Sequence, residues 1–199
     1  VATYKEVYTY KGYVDRKLRL TDHGIMSFAN GITYEGYFVK GHAHGVGIKT
    51  DPITGERYEG EFIKSQMHGK GVLTGPNGER CVGDFKKNAM HGECIADDQY
   101  GCYKGAYVRG KRHGHGVMTG KNGFEYEGYW SDDERNGIGC QSYTSGDEYS
   151  GTFLNNLRHG DGVYQHKNGD RYKGLWCRDK KEGQGIMYWN DGTMYKGNW

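Results

Sequence analysis

The 199-residue sequence is poor in the usual materials of a thick core. Leu, Ile, Val and Phe supply only 30 residues, about 15%, a share that by itself points toward disorder. No apolar run approaches the ~20 residues of a membrane-spanning helix. Proline occurs twice against 35 glycines, which excludes collagen-like and Pro-Gly low-complexity chains. The glycines in turn argue against long helices, since each costs about 1 kcal/mol there relative to Ala. An excess of one charge is also lacking. Lys and Arg number 27, Asp and Glu 25, for a net charge of +2. Nothing therefore swells the chain by self-repulsion, and a nucleic-acid role, which needs a strongly basic face, is disfavoured. The chain does not open with Met and shows no signal peptide, which reads as a fragment. The five cysteines are odd in number and unevenly spaced, and the expected setting is reducing and intracellular.

Aromatics are what the sequence has. Tyr, Trp and Phe total 28 residues, and each buries a large area, so the chain is expected to fold around aromatic layers. They fall in a repeat. Aromatic-x-Gly triplets begin at Tyr10, Tyr34, Tyr58, Tyr103, Tyr126, Tyr149, Tyr172 and Tyr195, and Cys81-Val82-Gly83 fills the one gap. The spacings run from 22 to 24 residues. This organises residues 1–199 as one array: eight full repeats from about Tyr10 and a truncated ninth at 195–199. Within a repeat, Y-x-G-x-[FWY] leads to a polar turn, then to H-G-x-G (His44-Gly45-Val46-Gly47, His159-Gly160-Asp161-Gly162), an aliphatic residue, and a closing Asn-Gly or Asp-Gly.

This pattern predicts one β-hairpin per repeat. Strand side chains alternate, so the two aromatics and the intervening glycine share a face. The glycine clears space for neighbouring rings, and Asn-Gly supplies the positive φ angles of a tight turn. No hairpin can bury its aromatic face alone, so the repeats must stack. The expected fold is all-β: a single-layer antiparallel meander of stacked hairpins forming an elongated rod, roughly 80 Å long at about 4.8 Å per strand.

The pattern Y-x-G-x-W…H-G-x-G…N-G resembles the MORN (membrane occupation and recognition nexus) repeat. The resemblance covers the chain from about Tyr10 to Trp199, as in all-repeat MORN proteins of protozoan cytoskeletal structures. It implies a non-enzymatic scaffold that self-associates and joins acidic phospholipid membranes to cytoskeletal proteins. It also implies a cytoplasmic protein, cytoskeleton-associated and peripheral to the membrane. Some relatives carry a kinase or methyltransferase domain beside the repeats; none is visible here. Three departures stand out. In repeat one, His23-Gly24 arrives three positions late for H-G-x-G. Repeats six and eight carry Asn136-Gly137 and Glu182-Gly183 in place of His-Gly. Repeat four has Cys81 for Tyr, Cys94 for Gly and Gln99-Tyr100 for the closing Asn-Gly, a flaw at which the rod could bend.

The recurring histidines (His44, His68, His91, His113, His159) have no recurring nucleophile or carboxylate beside them. Their expected role is structural, capping a turn and packing on a ring. No Gly-rich stretch follows a strand and opens a helix, so phosphate binding is not indicated. Cys81, His91, Cys94 and Cys102 are close enough in sequence to suggest zinc, although their spacing matches no standard motif and buried packing of the thiols is the other reading. Apart from that zinc, no cofactor is expected.

Charge is the clearest functional signal beyond the repeat. The first turns of the eight repeats hold 15 basic and 5 acidic residues, against 12 and 20 in the remainder. Stacking would line them along one basic edge, densest at Lys86, Lys87, Arg109, Lys111 and Arg112. Acidic lipid headgroups or an acidic protein are the expected partners, each basic residue near an anionic surface contributing about 1 kcal/mol; the bland reading is a solubilised sheet edge. The C-terminal aromatics Trp176, Tyr188, Trp189, Tyr195 and Trp199, with Met187 and Met194, form the expected homodimer interface, because an open strand edge invites pairing. Two other classes fit less well: a carbohydrate-binding β-repeat and a single-stranded nucleic-acid module.

Overall fold

The computed structural model describes residues 8–199. Among them there is no helix, and the chain divides into two compact units, Val1–Asp98 and Gln99–Trp199. In the first, strands β1 (Tyr8–Val14), β2 (Leu20–Phe28), β3 (Thr33–Val39), β4 (His42–Asp51), β5 (Glu56–Ile63), β6 (Gln66–Thr74), β7 (Arg80–Lys86) and β8 (Ala89–Asp97) pair successively and antiparallel. In the second, β9 (Gly101–Val108), β10 (Lys111–Gly120), β11 (Glu125–Ser131), β12 (Glu134–Ser142), β13 (Glu148–Leu154), β14 (Leu157–Gln165), β15 (Arg171–Cys177), β16 (Lys180–Tyr188) and β17 (Met194–Asn198) do the same. The all-β hairpin meander therefore holds in each unit. The division between them falls in repeat four, where Gln99-Tyr100 replaces the closing Asn-Gly.

The core is one ring deep. The two glycines of a repeat face each other across the hairpin, as in Gly36↔Gly47, Gly128↔Gly139 and Gly174↔Gly185. The repeat tyrosine lies over that pair: a Cβ added at Gly47 would stand 2.5 Å from the Tyr34 hydroxyl. The same hydroxyl donates to the carbonyl three residues on, at 3.0 Å for Tyr34, Tyr126, Tyr149 and Tyr172 alike. Where a tyrosine stands on both sides, the second aromatic of a repeat meets two tyrosines edge-on. Phe62 packs against Tyr34 and Tyr58 at 4.9 and 5.1 Å, and Trp176 against Tyr149 and Tyr172 at 5.5 and 5.3 Å. Edge-to-face contact suits the quadrupoles of aromatic rings, and here it links successive repeats within each unit. Tyr126 and Tyr172 have no exposed surface. Burial pushes the Tyr34, Tyr58 and Tyr126 hydroxyls up to about 12.

The closing turns differ from expectation. In the closing turns only the glycine takes positive φ, as at Gly31 and Gly123. The asparagine before it works through its side chain: Asn30 Oδ1 accepts from the Ile32 amide. Two-residue turns with both φ values positive occur instead at the first turns, at Lys64-Ser65, Lys87-Asn88, Asp132-Asp133, Asn155-Asn156 and Arg178-Asp179. Such turns match strand twist; these five form without glycine, and Lys40-Gly41 and Arg109-Gly110 form with it.

The irregular repeats resolve into the same frame. In repeat one, Gly24 pairs with Gly12, so it is the second glycine of H-G-x-G. Asp22, at φ 54°, takes the place of the first. His23-Gly24 is therefore not a late H-G-x-G. In repeat four, Cys94 faces Gly83, on the same face as Cys81, and both cysteines are buried. Exchanging tyrosine for the small Cys81 makes room for a side chain where other repeats need glycine. We expect Cys81→Tyr alone and Cys94→Gly alone each to lower stability by about 1–3 kcal/mol, through overpacking and cavity formation respectively. The double change should recover most of it in urea unfolding; strictly additive losses would contradict the exchange.

Candidate functional site

Of the five basic residues named for the densest part of the first turns, four are exposed, each within its own unit. Lys86 and Lys87 are exposed in the first unit, and Arg109 and Lys111 in the second. Arg112 is not part of that surface. It turns inward, its guanidinium carbon 4.4 Å from the centre of the Trp130 ring. Its Nε donates to Asp133 Oδ1 at 3.1 Å and its Nη2 to the Asp133 carbonyl at 3.1 Å.

Arg112 is the first of a series that the sequence reading missed. The residue just before each H-G, N-G or E-G of the second unit is cationic: Arg112, Arg135, Arg158 and Lys181. Each lies over the ring ladder. Arg135 stands 5.2 Å from Phe153, Arg158 4.3 Å from Trp176, and the Lys181 ammonium 4.8 Å from Trp199. The next repeat holds each arginine in place. Arg135 Nη2 donates to the Asn156 carbonyl at 2.7 Å, and Arg158 donates to Asp179 Oδ1 from Nε at 2.8 Å. Arg135 Nη1 also bonds Gln141 Oε1. A stacked, hydrogen-bonded guanidinium suits arginine because its plane packs while its edge donates. A 23-residue comparison of the position before H-G was the signal that would have found the series.

Two of the recurring histidines cap no turn through Nδ1. His113 and His159 each bury Nδ1 without a hydrogen-bond partner. What the backbone uses is the glycine that follows, at positive φ in Gly45, Gly69, Gly92, Gly114 and Gly160. The suggested zinc set is not assembled: among the described residues no three or more His, Cys, Asp or Glu are grouped to hold a metal. Cys81 and Cys94 do meet, sharing a thiol hydrogen bond that raises Cys81 and lowers Cys94. Cys102 belongs to the second unit. Of the expected interface residues, Trp176 and Met187 are buried in their own unit, and Tyr188 is half-buried beneath Arg171. Trp189, Met194, Tyr195 and Trp199 are exposed.

A family model described as MORN repeat matches residues 34–53, 58–80, 81–96, 103–124, 126–148, 149–171 and 172–194. The chain belongs to the MORN repeat family. MORN geometry also extends beyond the matched segments: Tyr10 and Tyr195 donate to the carbonyls of Tyr13 and Asn198, as the matched tyrosines do. Among solved structures, the chain is similar to the TCP domain of Drosophila melanogaster SAS-4 in complex with a proline-rich motif of Ana2. Identity is 8%, coverage is 96% of this chain and 90% of that one, and the TM-score is 0.35. It is also similar to the TCP10 domain of Danio rerio CPAP in complex with a STIL peptide, at 10% identity, 96% and 94% coverage and a TM-score of 0.30. No curated protein matches the chain.

The cation series is expected to support the MORN ladder measurably. Arg158→Ala removes a stacked guanidinium and its bonds to Asp179 and should cost about 2 kcal/mol in urea unfolding. Arg158→Lys should cost less. An unchanged midpoint in the alanine variant would contradict the stacking role.

Proposed function

We propose that this MORN array is a non-enzymatic scaffold whose basic first-turn edge engages acidic phospholipid headgroups, while its other surfaces engage cytoskeletal proteins and a second copy of the chain. The MORN repeats indicate a repeat protein of scaffold type. The observation that carries the finer reading is the placement of charge. Lys40, Lys64, Lys86, Lys87, Arg109 and Lys111 recur at first turns as exposed side chains, on backbone that the type of turn fixes. Arg112 drops out of that surface because it serves the ring ladder. A cytoplasmic, membrane-peripheral location fits this reading.

The test is sedimentation with vesicles of phosphatidylserine and phosphatidylcholine. Replacing Lys86, Lys87, Arg109 and Lys111 together with Glu should abolish binding, and salt should weaken it, because exposed charges are screened over about 8–10 Å. Binding that survives the reversal would refute the lipid reading. Self-association is favoured by one surface, the exposed Trp189, Met194, Tyr195 and Trp199 around β17. Light scattering at micromolar concentration should give twice the chain mass, and a variant with Trp189→Glu should give the chain mass. A wild-type chain at monomer mass would overturn it.

A further inference from the structure

Repeat four places sulfur where the other repeats place a ring. Cys81 stands in the position of the repeat tyrosine and Cys94 in that of the second glycine. Both are buried, and both lie on the face that carries Phe85. Cys94 Sγ leans across the hairpin toward Cys81: a Cβ at Gly83, two residues on from Cys81, would stand 2.7 Å from it. The two thiols share a hydrogen bond, and Cys94 Sγ also donates to the Asp84 carbonyl at 3.4 Å. Met90 brings a third sulfur. It holds the position of Arg112, Arg135, Arg158 and Lys181, whose charged groups reach over the tyrosine of their own repeat at 5.8, 5.6, 5.8 and 4.7 Å. In repeat four that tyrosine is Cys81. Met90 and Cys81 accordingly line one cavity of about 330 Å³, with Leu73, Pro76 and Ala96 on its wall. The register draws Met90 toward Cys94 as well. The two are four residues apart, yet they face Phe85 and Gly83, which are two apart, because the ladder is bulged between them.

We propose that Cys81, Cys94 and Met90 bind one soft monovalent metal ion, copper(I), held by the two thiolates and completed by the thioether. The donor set decides the metal. Structural zinc needs four nitrogen, oxygen or sulfur ligands in a tetrahedron, and among the described residues no three His, Cys, Asp or Glu are grouped to supply them. Thiolate and thioether sulfur together select copper(I), and a soft ion with a filled shell is satisfied by few ligands. Binding exchanges two S–H bonds for two S–metal bonds. Both protons leave to solvent, the Cys94 bond to the Asp84 carbonyl is given up, and no electron is transferred. The bis-thiolate carries one net negative charge, and Arg80 at the cavity rim offsets it. The ion fills part of the space that a tyrosine ring fills in other repeats, and it ties β7 to β8 where the ring is missing.

The test is an anaerobic titration of the whole chain with copper(I) supplied as its coloured bicinchoninate complex, with methyl-labelled methionine observed by NMR. The expected result is loss of colour for one equivalent of copper per chain and a shift of the Met90 methyl, with the Met118 and Met187 methyls unmoved. Excess zinc should neither shift Met90 nor displace the copper. Replacing Cys81 and Cys94 together with Ser should abolish uptake. Met90→Leu, close to methionine in volume, should weaken it at least tenfold. Replacing Cys102, Cys140 and Cys177 together with Ser should leave it unchanged. The Met26 and Met67 methyl signals report whether the first unit of each variant is folded, and the Met90 variant stands independently of the cysteine variants. Copper that stays with bicinchoninate overturns the proposal. So does uptake that survives the double serine change, that is lost with the other three cysteines, that zinc reverses, or that is indifferent to Met90→Leu.

Discussion

A tyrosine ring lying flat over two facing glycines is the contact on which the rest of this fold depends. A single-layer sheet has no second layer to bury its apolar face, so it must make its core from what stands on the sheet itself. The glycine pair lowers the floor beneath the ring. The tyrosine hydroxyl then reaches a carbonyl of its own strand, which fixes the ring along the strand direction. Once fixed, the ring offers its face and edges to the second aromatic of its own repeat and of the next. Nearest-neighbour coupling of this kind is how repeat arrays obtain stability without long-range packing.

The cations of the second unit complete that arrangement from above. Rings on a one-layer sheet remain open to water on the side away from the backbone. Arg112, Arg135 and Arg158 cover them with a group that packs like a ring and stays hydrogen-bonded to the turn of the following repeat. The coupling between repeats is therefore double, ring to ring and guanidinium to turn. In the first unit the corresponding residues, Ala43, Met67 and Met90, are apolar, and the rings there are buried to the same degree.

Much of this was legible in the sequence because one period governs every level. The aromatic-x-Gly spacing gave the strands, their pairing and the face on which the rings lie. The irregular repeats were less legible. Nothing local to His23-Gly24 says that Gly24 answers Gly12 and that Asp22 accepts the left-handed backbone; only the strand register does. The backbone of the first turns was not legible, because glycine and asparagine are the usual mark of positive φ, whereas Lys64-Ser65 and Arg178-Asp179 adopt it between two paired strands. The basic edge was read from composition, which cannot tell an arginine pointing outward from one folded onto a ring, and so Arg112 was placed with Arg109 and Lys111. The zinc reading rested on closeness in sequence; the hairpin brings Cys81 and Cys94 together, but among the described residues no three His, Cys, Asp or Glu are grouped to hold a metal.

The central claim is that the floor beneath each tyrosine must be empty, and two glycines separate this from ordinary glycine backbone effects. A Cβ at Gly162 would stand 2.3 Å from the Tyr149 hydroxyl, while one at Gly192 would meet nothing within 4 Å, although Gly192 has a φ of +86°. The decisive measurement is urea unfolding of Gly162→Ala beside Gly192→Ala. The account expects the Gly192 variant to lose about 1 kcal/mol from backbone strain alone, and the Gly162 variant to lose several times more because Tyr149 is displaced from its ladder. Equal losses, or a Gly162 variant as stable as the parent chain, would contradict it.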